Sequence, residues 1–203
     1  MNPITDCIES GILELYVMAA TTPEETQEVE ALAAAHPEIR QEIESIRQSI
    51  EAYALAHAVE PRSTVKPLVL ATIDYMERMK NGEPVSSPPE LSPAIKVKDF
   101  APWLTRQDLQ LAPEAEDIYV KIIGYTPSVT TAIVWLKDMA EEEVHHDEHE
   151  RFFILEGTCD ITVEEEVYSL KPGDFFAIPL HKKHMLKVTS AEPCKCILQR
   201  VAA

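Results

Sequence analysis

Hydrophobic spacing changes once along this chain of 203 residues, and the change dictates two different kinds of domain. Over the first eighty residues apolar side chains recur every three or four positions, the spacing of a helix with one buried stripe. Over the last ninety they alternate every second position, the spacing of half-buried strands. Between the two lies Asn81–Pro93, with the run Pro84-Val85-Ser86-Ser87-Pro88-Pro89. Proline lacks a backbone donor, and serine and glycine favour turns, so no regular element is expected to cross it. The expected division is a helical domain over residues 1–80, a linker over 81–93 and a strand-rich domain over 94–203.

The helical half should form a small bundle of three to four helices. Ile8, Ile12, Leu15 and Ala19 mark the first. Thr22-Pro23-Glu24-Glu25 reads as a helix start, with Thr22 as cap, Pro23 in the first turn and Glu25 reaching back. Pro37 opens another helix, whose stripe is Ile39, Ile43, Ile46, Ile50 and Tyr53. Val69, Ile73 and Met76 make a weaker fourth. The first helix also carries Leu13, Tyr16, Val17 and Met18, so it is apolar on more than one face. That surplus marks these four residues as a candidate partner-binding surface, unless the helix is central in its bundle.

The strand half offers short alternating runs such as Ile118–Ile122, Thr130–Leu136, Arg151–Leu155, Asp160–Val163 and His184–Thr189. Several are separated by glycine or proline turns, including Lys171-Pro172-Gly173-Asp174. Many short strands at this spacing predict a double-sheet barrel or sandwich. The fold class is therefore α+β and multidomain.

A formal net charge of -17 and the absence of any apolar run of about 18 residues exclude two function classes. Nonspecific DNA binding is disfavoured because phosphates would repel such a surface, and no membrane span is expected. A basic protein partner suits it. Asp6 and Glu9 stand where a secretory leader would carry basic residues, and Cys7, Cys159, Cys194 and Cys196 show no disulfide or zinc-ribbon spacing. A cytoplasmic location is expected. Cys194 and Cys196 share a strand face, as a redox pair, soft ligands or small core residues.

The chemistry-bearing residues cluster in Glu143-Val144-His145-His146-Asp147-Glu148-His149-Glu150 and in Gly173 to His184. These resemble the two signature motifs of the cupin superfamily, which implies that the C-terminal domain is a double-stranded β-helix, or jelly-roll barrel. In that family's first motif two histidines flank one residue, a glutamate follows after three or four intervening residues, and a glycine stands seven positions beyond. Glu150 and Gly157 match. With four residues intervening before Glu150 the second histidine is His145 and Glu143 takes the first slot; with three intervening it is His146, with Val144 in the first slot. If Glu150 points inward, strand alternation turns Phe152 and Ile154 inward as pocket residues and sets Glu143 and His145 on one face. The second motif supplies His184, with His181 where the family usually has glycine. The resulting metal set is Glu143, His145, Glu150 and His184, with His146 and His149 as alternates. Two imidazoles and two carboxylates suit Zn, Mn, Fe or Ni alike.

Residues 6–80 resemble a second family, the zinc-free branch of bacterial anti-sigma domains, on Ile12–Ala20, Thr22-Pro23-Glu24-Glu25 and Val29-Glu30-Ala31. Leu32, His36 and Ile39 stand in the three slots that carry zinc ligands in the other branch. The combination is similar to soluble cupin-type anti-sigma factors of the singlet-oxygen response. It implies a transcriptional regulator whose helices hold an extracytoplasmic-function sigma factor, whose metal-binding barrel receives a small-molecule or other chemical signal, and which forms a homodimer. Two alternatives stay open: a metal-dependent cupin enzyme of dioxygenase or isomerase type with a helical oligomerisation arm, and a metal-free cupin that binds a small ligand.

Overall fold

The computed structural model describes residues 3–203. The chain divides into two compact units, residues 1–60 and 61–203.

Among the described residues the first unit contains four helices: α1 (Pro3–Glu9), α2 (Ile12–Val17), α3 (Pro23–Ala35) and α4 (Pro37–Ala56). Thr22 caps α3 as its sequence requires: its Oγ1 accepts from Glu25 N at 3.2 Å, and its own N–H donates to Glu25 Oε2 at 2.8 Å. The core is Leu13, Val29, Ile39, Ile43 and Ile46. The expected first helix is broken at Gly11, which takes the left-handed conformation (φ 81°) open to glycine. The stripe read across that break is therefore out of phase. Leu13, assigned to the surplus face, is 0% exposed at the centre of the core, and Tyr16 and Val17 are half-buried against it. Leu15, assigned to the core stripe, is exposed, as is Met18. Ile50 and Tyr53 are exposed too, because α4 outruns its shorter partners.

The second unit is a β-sandwich. Its strands are β1 (Ile118–Thr126), β2 (Val129–Leu136), β3 (Met139–Glu143), β4 (Glu148–Glu156), β5 (Cys159–Val163), β6 (Glu166–Leu170), β7 (Phe175–Ile178), β8 (His184–Val188) and β9 (Cys194–Ala202). One sheet has the order β1-β2-β9-β4-β7, the other β3-β8-β5-β6, and all paired strands are antiparallel. Alternation sorts each strand into two faces. Phe152, Ile154, Ile161, Leu186, Cys196 and Leu198 fill the space between the sheets, whereas Phe153, Leu155, Ile133 and Ile197 face the other way.

Two features depart from the expected division. Helix α5 (Val65–Lys80), grouped by its sequence with the bundle, belongs to the second unit and packs on β1. Its buried stripe is Leu68, Ala71 and Tyr75, while Val69, Ile73 and Met76 are exposed. The helix is amphipathic about a different axis from the one its β-branched residues suggest. Asp74 accepts from Lys121 Nζ of β1 at 2.7 Å, and Arg78 donates to the Ile122 carbonyl. Arg78 also pairs with Glu83, which in turn is held by Arg106 at 2.7 Å.

The second departure is the segment expected to be a linker. It contains no helix or strand, but it is a packed strap on the outer face of the five-stranded sheet. Leu91 of this segment, together with Phe100 and Leu109 that follow it, covers Phe153, Ile133 and Ile197 there. Gln199, 0% exposed, fixes the strap: its Oε1 accepts from Leu91 N at 2.7 Å, and its Nε2 donates to Pro89 O at 2.9 Å and Thr131 Oγ1 at 3.0 Å. A Cβ at Gly124 would lie 2.2 Å from Pro88 Cδ, so glycine is required where the strap crosses β1. Among the described residues no helix is long and apolar enough to cross a membrane.

Candidate metal centre

The centre is assembled from both sheets. β4 brings Glu150, β8 brings His184, the end of β3 brings Glu143, and His145 follows two residues later on irregular backbone. Register does the positioning. Glu143 pairs with His184 across β3 and β8, and Glu150 pairs with Arg200 across β4 and β9. One donor atom from each of Glu143, His145, Glu150 and His184 lies within 4.8 Å of the others.

Glu150 is at the middle. Its Oε2 lies 3.1 Å from His184 Nε2 and 3.5 Å from His145 Nε2, and its Oε1 accepts from Arg200 Nε at 3.0 Å. Glu143 Oε1 is 3.9 Å from both imidazole Nε2 atoms, and its Oε2 is 3.8 Å from Arg200 Nη2. Burial alone would raise the Glu150 pKa, but the imidazoles of His145 and His184 beside it and the Arg200 charge outweigh it and hold the carboxyl below the usual range. Glu143 goes the other way: burial and then the Glu150 charge push its pKa up. Burial disfavours the His184 cation, yet Glu150 beside it prevails and its pKa is raised. Burial likewise disfavours the Arg200 cation, and the carboxylates around it more than compensate.

The fit to a metal ion rests on hydrogen bonding. His184 Nδ1 faces the Lys182 carbonyl at 3.3 Å, and a carbonyl can only accept, so Nδ1 carries the proton. In the neutral ring Nε2 then presents a lone pair to a carboxylate oxygen, an arrangement that needs a proton or a metal cation between them. His145 Nε2 is buried and has no hydrogen-bond partner. An uncompensated polar atom in such a place costs about 1–3 kcal/mol. A cation among the four donors removes both deficits, and two nitrogens with two carboxylates suit Zn, Mn, Fe or Ni. The cluster is able to hold a metal ion.

The structure thus brings Glu143, His145, Glu150 and His184 together, the four-residue register of the first motif. His146 and His149 are not in the cluster. His146 is exposed on the bend after β3, and His149 lies on β4 next to Glu150, on the opposite face by alternation. Phe152 lines a cavity of about 60 Å³ beside the centre, together with Val120, Leu198 and Cys196. Ile154, expected to line it as well, is fully buried in the core beneath and does not reach it. Cys159, Cys194 and Cys196 are core residues, and burial pushes the Cys196 thiol up.

Arg200 was not legible as a site residue. Its signal is an arginine at an inward-facing position of β9, two residues after Leu198 and four after Cys196, where a lone charge must have partners. It supplies a positive charge against three carboxylates, those of Glu143, Glu148 and Glu150.

Residues 133–199 match the family model described as a cupin domain. No curated protein matches the chain. Similar solved structures include KdgF from Halomonas sp., with 20% identity over 47% of this chain and 92% of that one at a TM-score of 0.42. A cupin-2 domain containing protein from Shewanella frigidimarina shows 19% identity over 54% and 95% at 0.40. The cupin domain of Schizosaccharomyces pombe Cnp3 shows 15% over 44% and 67% at 0.42. With its two-sheet jelly roll and its match to the family model, the C-terminal region of this chain is a cupin domain.

Proposed function

We propose that this chain is a metal-dependent regulator of the anti-sigma type. Its cupin domain binds a divalent transition ion through Glu143, His145, Glu150 and His184 and receives a chemical signal, and its N-terminal unit holds an extracytoplasmic-function sigma factor. The observation that carries the metal half is the buried, unpartnered His145 Nε2 among three further converging donors. The adjoining cavity of about 60 Å³ supports sensing of a very small molecule over turnover of a bulky one, since pockets for drug-sized ligands run to ~300 Å³ and more.

The sigma-factor half is supported by the resemblance of the helical segment to zinc-free anti-sigma domains and by the surface of the first unit. Leu15 and Met18 on and beside α2, and Tyr53 and Leu55 on α4, are exposed apolar side chains. The net charge of -17 complements the basic surfaces of a nucleic-acid-binding partner. Co-purification of the full chain with the sigma factors of its own cell is the test, with L15E/M18E as the control that should release the partner. Failure to capture any sigma factor removes this half.

The enzyme reading is favoured by one observation: the cavity is lined by Glu143, Glu150 and His184, so a molecule within it would lie against a bound metal acting as Lewis acid. Turnover of a small substrate by the metal-loaded chain, lost in E150Q, would establish it in place of the regulator.

A further inference from the structure

Outside the buried cluster, His146 and His181 form a pair that the cupin centre does not use. His146 is on the bend after β3 and His181 in the turn after β7, and both are exposed. Their Nδ1 atoms are 3.0 Å apart and their ring centroids 5.3 Å apart. The turn is built to keep them so. His181 N donates to the His145 carbonyl at 2.9 Å, joining the two segments through the backbone. His181 also holds φ at 62°, a left-handed conformation that side chains other than glycine rarely adopt. A strained non-glycine residue in a tight turn is a reason to look for a function of its side chain.

At this separation one Nδ1–H donates to the other Nδ1, and a shift of that proton to Nε2 turns both lone pairs toward one point, where a metal ion can take its place. With metal–nitrogen bonds of about 2.0–2.1 Å, a 3.0 Å spacing subtends roughly 95° at the ion. That is the cis angle of tetragonal or octahedral coordination, and falls short of the tetrahedral angle zinc prefers. The local charge also favours a cation. Lys183 and Lys182, which follow His181, are drawn to Glu142 at 2.8 Å and Glu164 at 3.9 Å, and Asp147 follows His146.

We propose that His146 and His181 are an outer binding site for a borderline transition ion, Ni²⁺ or Cu²⁺, with water completing its coordination. The site shares no donor with the buried cluster. An ion there would clamp together the two segments that lead to His145 and His184, so it would also slow exchange at the inner centre.

The test is Ni²⁺ titration of the metal-stripped full chain by calorimetry and native mass spectrometry, at about pH 7.5 where free imidazoles are neutral. H146A/H181A should take up one ion fewer than the parent chain, whatever the inner cluster binds. H181G removes the donor but relieves the left-handed strain, so it keeps the turn and should lose the same ion. E150Q/H184A should retain it, which separates this site from the inner one. Unchanged stoichiometry in both H146A/H181A and H181G would overturn the proposal.

Discussion

Replacing Gln199 by leucine tests whether the strap is part of the cupin fold. The glutamine is fully buried and makes three hydrogen bonds, at 2.7, 2.9 and 3.0 Å, two of them to the strap backbone. Leucine fills a similar volume, so the packing loss is small. The cost comes from Leu91 N–H, Pro89 C=O and the Thr131 hydroxyl, left without partners at about 1–3 kcal/mol each if they stay buried. Lifting of the strap into water would relieve part of this, giving a net loss of about 3 kcal/mol. The two tryptophans, Trp103 and Trp135, both pack in the cluster under the strap, so urea unfolding followed by tryptophan fluorescence reports on this unit alone. With a slope of about 2 kcal/mol per molar urea, the midpoint should fall by about 1.5 M. A loss below about 0.5 kcal/mol, the scatter of ordinary surface substitutions, would refute the argument.

Three more outcomes are expected. Leu13→Ala should destabilise the first unit by about 2–5 kcal/mol, seen as early loss of helical circular dichroism, because a fully buried leucine leaves a cavity. Metal binding should release protons below the raised pKa of His184, so affinity should fall with decreasing pH, starting above the ordinary histidine value. Calorimetry in two buffers of different ionisation enthalpy measures that release, and proton uptake on binding would contradict it. Glu83→Gln should cost about 2 kcal/mol at neutral pH by removing charge-assisted bonds from Arg106 and Arg78. Because Arg106 foremost lowers the folded-state pKa of Glu83, its stabilisation is complete above the unfolded value and lost as pH falls through the folded one. Variant and parent should therefore converge in acid.

The sandwich and the four-donor cluster were legible because both rest on local rules. Alternation assigns Glu150, Phe152 and Ile154 to one face wherever β4 lies, and a gap of four residues before Glu150 selects His145 and with it Glu143. What was not legible depends on contacts between distant segments. Nothing in Val65–Lys80 shows that Leu68, Ala71 and Tyr75, and not Val69 and Ile73, would meet a sheet. Prolines at 84, 88 and 89 correctly exclude a regular element, but a buried glutamine 108 residues after Leu91 makes the segment part of a core. Leu13 was misplaced for a local reason: Gly11 resets the helical phase, and the periodicity was read through it.

Strand β9 carries two attachments on consecutive residues. Gln199 points outward to the strap, and Arg200 points inward to Glu150 and Glu143. Because side chains alternate strictly along a strand, a shift of one position exchanges their faces. The amide would then be offered to the carboxylates and the guanidinium to the proline-rich backbone, so both connections would fail together. Between Cys194 and Arg200 the chain should therefore accept no change of length.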